Sequence, residues 1–112
     1  MKIEKILRPV TWLKNVPHGY ACGYVGVPPE HPWHGKDYSD YANFPDIKVH
    51  GGITWASDEL PGEDIIPLVG KYWWLGFDTN HSRDNQFNCD QTYCEQELES
   101  LYQQAVKAIP VL

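Results

Sequence analysis

The chain has 112 residues, the length of one small domain, and its 42% hydrophobic and 13% aromatic content is too high for a disordered protein. Its formal net charge of −6 argues against a general nucleic-acid-binding surface, and no apolar run approaches the ~18 residues of a membrane-spanning helix. The three cysteines show no CxxC spacing, and the start of the chain lacks the apolar core of a signal peptide, so we expect a cytoplasmic protein with no membrane partner. We expect one domain over residues 1–112.

The first part of the chain predicts one clear strand and a long loop. Residues 2–8 suit either a short helix or an irregular strand. Residues 20–27 mix apolar side chains with glycine and end at Pro28-Pro29, which predicts a strand. Residues 28–46 hold four prolines and show neither helical nor strand periodicity, so we expect a long ordered loop. Loops of this length are uncommon unless they carry a function.

Two further strands are predicted in the middle of the chain. Residues 48–56 have a strand-like composition, but Gly51-Gly52 interrupts them and indicates a bulge or a place where a ligand approaches the backbone. Residues 57–70 are acidic and rich in turn formers, which predicts a connection. Residues 71–77 are an unbroken aromatic and apolar run, which predicts a third strand that is buried on both faces.

The C-terminal region predicts an amphipathic helix over residues 92–108. Apolar side chains recur there at helical spacing: Cys94, Leu98, Leu101, Tyr102, Ala105 and Ile109. Thr92 and Glu95 match a capping box at the start of the helix, and Pro110 ends the pattern. Together the elements predict an α+β fold, in which this helix covers a small, mainly antiparallel sheet and long ordered loops crowd one end.

A group of ionisable side chains follows the third predicted strand. Asp78, His81 and Asp84 are three residues apart, so a tight loop or one helical turn would bring them together. Carboxylates and imidazole bind divalent metals, the one kind of cofactor that the sequence suggests, and they also suit acid–base catalysis by His81. The alternative is a polar turn, in which Asp78 caps the amides of Asn80 and His81. Arg83 would then pair with Asp84.

The segment His50-Gly51-Gly52, with Thr54 two residues further on, supplies a second candidate. Glycines beside a histidine let a ligand reach both the imidazole and the backbone amides, so Gly51, Gly52 and Thr54 are candidate ligand-binding residues. If the second and third predicted strands are neighbours, His50 and Asp78 lie close together and form a catalytic pair. The alternative is a buried His50 that is satisfied by one hydrogen bond.

The loop of residues 28–38 has the composition of a lid over a ligand. Trp33 or Tyr38 is suited to stack on a flat ring and Lys36 to meet a phosphate, which together with His31 would suit a nucleotide-like molecule. The alternative is that Trp33 fills the core beneath the loop while His31 and His34 face water.

At the level of motifs, the sequence has no P-loop, GxGxxG, GxSxG or HExxH, which removes the usual signatures of P-loop nucleotide hydrolysis, Rossmann cofactors, serine esterases and zincins. It has instead an ordered series of short motifs: Gly23-Tyr24-Val25, Val27-Pro28, His31-Pro32, Gly35, Val49-His50-Gly51-Gly52, Thr54, Trp74 through Asp78, His81 and Asp84. Over roughly residues 23–106, this series resembles a group of short uncharacterised proteins found in bacteriophages, prophages and actinobacteria.

The resemblance implies a shared pocket, because the matching positions are polar groups and glycines at strand ends. It also implies work inside an infected cell, where small phage proteins often antagonise host defence. We therefore expect a small soluble protein with a pocket that binds or hydrolyses a phosphorylated or nucleotide-like molecule. His50 or His81 would act as the general base, and Asp78 and Asp84 would orient it or hold a metal.

The alternative function is inhibition of a host or defence protein without small-molecule chemistry. Residues 15–70 carry eight acidic side chains against Lys36 and Lys48, so an acidic face over residues 37–64 could bind a basic partner. The His and Asp residues would then be structural. The sequence leaves the ligand, the reaction and the oligomeric state open.

Overall fold

The computed structural model describes residues 2–37, 47–60 and 72–109. In chain order its elements are β1 (Glu4–Pro9), β2 (Ala21–Val27), β3 (Trp55–Ser57), β4 (Trp73–Phe77) and the helix α1 (Gln91–Lys107). The four strands form one antiparallel sheet in the order β1-β2-β4-β3, and α1 packs against it. The predicted α+β fold, with a small antiparallel sheet under a C-terminal helix, is confirmed.

Glycines opposite aromatic residues join the two central strands, β2 and β4. Three cross-strand pairs place an aromatic ring against a glycine: Gly23 with Phe77, Tyr24 with Gly76, and Gly26 with Trp74. A Cβ atom at any of these glycines would overlap with the ring of its partner. The rings therefore cover the sheet where glycine leaves the backbone bare, and each pair depends on the glycine for space.

Both faces of the central strands are buried. The face that α1 covers contributes most of the core: Val25, Val27, Leu75, Phe77, Leu98, Leu101 and Ala105. The opposite face carries a smaller cluster: Val10, Cys22, Tyr24, Leu60 and Trp74. Burial of the third predicted strand on both faces is confirmed, since β4 is buried from Trp74 to Phe77.

The helix α1 packs on the sheet through a narrow apolar stripe. The stripe repeats at intervals of three and four residues: Cys94, Leu98, Leu101 and Ala105. The helix begins one residue earlier than predicted, with Asp90 as its N-cap, because Asp90 Oδ1 accepts from the Tyr93 amide at 2.9 Å. The predicted capping box at Thr92 and Glu95 is therefore wrong. Nowhere in the described part of the chain is there a helix long and apolar enough to cross a membrane.

The predicted strand over residues 48–56 is the main departure from the sequence analysis. Only Trp55–Ser57 is a strand, because Gly51 and Gly52 have φ angles of 68° and 78°. Such left-handed backbone cannot continue an extended run. The Gly52 amide donates to a carbonyl three residues earlier at 2.9 Å, which closes a turn. At the N-terminus, where helix and strand were both open, the structure shows the strand β1.

The segments that carry the polar candidate site residues lie together at one end of the sheet. Asp78 is the first residue beyond β4, and Thr54 lies beside it because β3 and β4 are antiparallel neighbours. Just before β2, consecutive backbone amides donate to the carbonyls of Thr79 and Cys89, both at 2.7 Å. Both ends of the connection between β4 and α1 are thus tied to the same end of the sheet.

Candidate functional site

Seven polar side chains meet at the end of the sheet where β4 finishes and β2 begins. We call them the His–Asp cluster: His50, Thr54, Asp78, His81, Asp84, Cys89 and Tyr93. The rings of His50 and His81 lie side by side, with centroids 5.8 Å apart. Sequence reasoning named five of the seven residues and missed Cys89 and Tyr93. The cluster contains two separate pairs of a histidine with an aspartate.

His50 is held by hydrogen bonds on both of its ring nitrogens. Nδ1 lies 2.7 Å from the Tyr93 hydroxyl, and Nε2 lies 2.9 Å from Asp84 Oδ1. Because the ionised Asp84 carboxylate only accepts, Nε2 carries the proton and Nδ1 accepts from Tyr93. The His50 amide also donates to Glu97 Oε1 at 2.8 Å, which fixes this turn to α1. Both ring nitrogens of His50 therefore take part in hydrogen bonds in this structure.

Asp84 is a buried carboxylate, 5% exposed, and both of its oxygens are used. Oδ1 accepts from His50, and Oδ2 accepts from the backbone amide of His81 at 3.0 Å. The Cys89 thiol adds a longer donation to Oδ1 at 3.6 Å. Asp84 therefore pairs with His50. The polar-turn alternative had predicted a pair of Asp84 with its neighbour Arg83.

Cys89 has a 1% exposed side chain at the centre of this buried group. Its Sγ lies 3.8 Å from His50 Nε2 and 3.6 Å from Asp84 Oδ1. Burial and, next, the negative charge of Asp84 raise the pKa of the Cys89 thiol to about 11. The thiol is therefore protonated near neutral pH and is a poor nucleophile. No motif signals its role, because its partner His50 is 39 residues away in the chain.

His81 and Asp78 form the second pair, which is open to solvent. The His81 side chain is 40% exposed, and its Nε2 lies 3.4 Å from Asp78 Oδ1. Asp78 is fixed in turn by the Thr54 hydroxyl at 2.8 Å and by the Asn80 amide at 3.0 Å. Nε2 is shielded from solvent and lacks a hydrogen bond within the described residues. The predicted cap on Asn80 is present, but the His81 amide is bound by Asp84 instead.

Gly51 lies directly against the His81 ring. A Cβ atom at this position would overlap with His81 Nε2, and the φ angle of 68° also favours glycine. Gly52 has a similar φ angle but faces open space. The close approach predicted for these glycines is thus made by an imidazole. His50 contacts Asp84 rather than Asp78, and His81 links the two pairs.

The structure does not bring the predicted lid residues to the His–Asp cluster. His31 is 3% exposed and Trp33 is 9% exposed. His31 Nε2 donates to the Ala105 carbonyl at 2.8 Å, and its Nδ1 accepts from the Trp33 amide at 3.0 Å. Ala105 lies twelve residues beyond Tyr93 in α1, a separation of about 18 Å along the helix axis.

Residues His31 and Trp33 instead belong to the core near the far end of α1. Trp33 fills the core, as one of the two alternatives predicted, but His31 is buried with it instead of facing water. Burial lowers the pKa of His31, so its imidazole is neutral near pH 7. The Lys36 carbonyl accepts from Trp73 Nε1 at 3.0 Å, at the end of β4 opposite to the cluster. Tyr38 lies outside the described residues.

Comparison with known proteins assigns no family, since no family model, no curated protein and no solved structure matches the chain. The chemistry of the cluster is therefore judged from its geometry. The exposed pair of His81 and Asp78 can accept or donate a proton. In the part of the chain that the structure describes, one group of possible metal ligands lies within 4.8 Å: His50, Asp84 and Cys89. Of the predicted metal ligands, it includes Asp84 but neither Asp78 nor His81.

Proposed function

We propose that the protein binds a small phosphorylated molecule at the exposed edge of the His–Asp cluster, with His81 as the contacting residue. The observation that carries this proposal is the combination of partner and exposure at the His81 ring. Nε2 lies 3.4 Å from Asp78 Oδ1 with Gly51 against it, while the side chain as a whole is 40% exposed. A carboxylate beside one imidazole nitrogen holds the proton there and leaves a lone pair on the other. Nδ1 therefore accepts a proton when the ring is neutral.

A phosphoryl group suits this ring because a protonated imidazole donates a charge-assisted hydrogen bond to a phosphate oxygen. The turn at Gly51 and Gly52 carries no side chains, so a ligand can approach the ring without displacing any. The nucleotide-like character of the ligand had rested on Trp33 and Lys36, which lie elsewhere, and we restrict the proposal to the phosphoryl group. If the ligand is also a substrate, His81 acts as the general base.

The test is a nuclear magnetic resonance titration that follows the imidazole nitrogens of His81. Inorganic phosphate and adenosine monophosphate should shift these signals, whereas adenosine, the matched ligand without phosphate, should not. Asp78→Asn should weaken binding, because the amide cannot hold the Nε2 proton as a carboxylate does. Asp58→Asn removes an exposed carboxylate just beyond β3 and should have no effect. Unchanged His81 signals at millimolar phosphate would refute the proposal.

A second candidate function is binding of a basic host or defence protein by the acidic face. Asp58 and Glu59 are exposed directly after β3, where a partner can reach them. Glu63 and Asp64, the other charges proposed for this face, lie outside the described residues. Replacing Asp58 and Glu59 by lysine should remove a partner from a pull-down and leave phosphate binding intact. An unchanged set of partners would exclude this function.

The cellular setting that we propose for either function is the cytoplasm of a phage-infected bacterium, where the protein counters a host defence. The support is the resemblance of its ordered motifs to those of phage and prophage proteins. In a defended host, the wild-type protein should raise the number of phage plaques. His81→Ala should abolish this effect under the first function, and the lysine substitutions at Asp58 and Glu59 should abolish it under the second.

A further inference from the structure

We propose that His50, Asp84 and Cys89 form a binding site for one zinc-type divalent cation, behind the exposed ring of His81. Their nearest ligand atoms are His50 Nε2, Asp84 Oδ1 and Cys89 Sγ, which lie within 4.8 Å of one another. His50 comes from the turn before β3, whereas Asp84 and Cys89 come from the connection between β4 and α1, and the fold brings these two segments together. This inference goes beyond the proposed phosphate binding and does not depend on it.

The spacing of these three atoms is close to that of a tetrahedral zinc site. Nε2 and Oδ1 are 2.9 Å apart, Nε2 and Sγ are 3.8 Å apart, and Sγ and Oδ1 are 3.6 Å apart. Zinc bonds of about 2.1 Å to nitrogen and oxygen and about 2.3 Å to sulfur place tetrahedral ligand atoms about 3.3 to 3.6 Å apart. Each observed distance is within about 0.5 Å of that pattern. Small side-chain movements are enough to reach coordination.

The donor set also matches a zinc-type ion in charge and chemical softness. A thiolate and a carboxylate bring two negative charges, which balance a dication beside a neutral imidazole. The residues Asp84 and Cys89 are 5% and 1% exposed, so water weakens these attractions little. A sulfur ligand disfavours magnesium and calcium, which prefer oxygen alone. Three protein ligands leave one tetrahedral position for water or another ligand.

The surrounding groups can accommodate the proton changes that binding requires. The His50 proton leaves Nε2, and Nδ1 becomes the protonated nitrogen, donating to the Tyr93 hydroxyl 2.7 Å away. The Nε2 lone pair then binds the cation. Cys89 loses its thiol proton to solvent, so one proton is released for each ion bound. Asp84 keeps the hydrogen bond from the His81 amide on Oδ2, which orients Oδ1 toward the ion.

The experiment is titration of the chelator-treated full chain with Co²⁺, followed by absorption spectroscopy, and with Zn²⁺, followed by calorimetry. We expect one ion per chain and a thiolate-to-cobalt charge-transfer band. Cys89→Ser should remove the band and weaken zinc binding by more than roughly 100-fold, and Tyr93→Phe should weaken it by roughly 10-fold. Cys22→Ser, which changes another buried free thiol, should keep both the band and the affinity.

The proposal is overturned if neither ion binds saturably, or if the charge-transfer band persists in Cys89→Ser. Because a change in a buried cluster can unfold the protein, zinc-edge X-ray absorption of the wild-type complex supplies a readout without mutation. It should show one sulfur among nitrogen and oxygen ligands, and a shell without sulfur would refute the site. Phosphate binding by His81 is measured without metal, so each proposal can fail alone.

Discussion

The two histidine–aspartate pairs of the cluster contain the same residue types but differ in what surrounds them. In the pair of His50 and Asp84, the side chains are 20% and 6% exposed, and both nitrogens of the ring have partners. In the pair of His81 and Asp78, the side chains are 40% and 28% exposed, and His81 Nε2 has no hydrogen bond within the described residues. An adjacent histidine and aspartate therefore do not by themselves define a site. Burial and the use of each ring nitrogen decide what the pair can do.

The largest expected effect comes from removing the buried carboxylate. Asp84→Ala leaves the His50 Nε2 proton and the His81 amide without an acceptor in a buried site, and it should lower the free energy of unfolding by about 4 kcal/mol. Asp78→Ala should lower it by only about 1 kcal/mol, because water can replace an exposed acceptor. Urea denaturation measures both values. Equal losses would contradict the division into a buried and an exposed pair.

A smaller loss of stability should distinguish substitutions at Gly51 and Gly52, the two glycines of the turn beside the exposed pair. Gly51→Ala adds a Cβ atom that overlaps with His81 Nε2 and also strains a positive φ angle; because the half-exposed ring can move aside, we expect a loss of about 1.5 kcal/mol. Gly52→Ala strains a similar φ angle in open space and should cost about 1 kcal/mol, which makes it the matched control. The difference in urea midpoints reports the contact with His81. If the two variants were equally stable, that contact would be absent.

His31 is a buried histidine whose two ring nitrogens bond to backbone groups, the Ala105 carbonyl and the Trp33 amide. Burial lowers its pKa from the ordinary value of 6.5. As the pH falls below that value, the unfolded chain takes up a proton that the folded chain rejects, so the free energy of unfolding decreases. Above it, both states are neutral at this residue and stability is highest. The effect is smaller than those of the glycine and carboxylate substitutions.

The check on His31 is the pH dependence of urea denaturation between about pH 5 and pH 7. His31→Gln keeps an N–H donor for the Ala105 carbonyl but cannot be protonated in this range, so its stability should depend less on pH than that of the wild type. His18→Gln is the control. His18 is a half-buried histidine just before β2, at the opposite end of that strand from His31, and it has backbone partners of its own. Identical slopes for wild type and His31→Gln would contradict the prediction.

The elements of the fold could be predicted because each follows from a local pattern. Leu98, Leu101 and Ala105 recur at the spacing of one helical face, and that face is the one that packs on the sheet. The unbroken apolar run before Asp78 gave a strand buried on both sides for the same reason. The prediction of a strand from residue 48 onward was wrong, because composition does not show that Gly51 and Gly52 adopt a left-handed turn.

The arrangement of the cluster could be predicted only in part, because it depends on contacts between distant residues. The sequence placed His50, His81 and two aspartates in one region but paired His50 with the wrong carboxylate. Its actual partners include Cys89, 39 residues away, and no spacing rule connects the two. The loop with Trp33 shows the converse: its polar and aromatic composition suggested a lid, but burial of the large apolar ring in the core fixes its position.

The smallest effect on stability should come from the residue that we place at the centre of function. His81→Ala should change the free energy of unfolding by less than about 0.5 kcal/mol, because the ring is 40% exposed and lacks a hydrogen bond within the described residues. His50→Ala should cost about 2 kcal/mol, since it leaves Asp84 and Tyr93 without their partner. If both variants cost the same, His81 is structural and the exposed pair loses its distinction. If His81→Ala keeps its stability but no longer binds phosphate, binding and stability belong to different histidines, 5.8 Å apart.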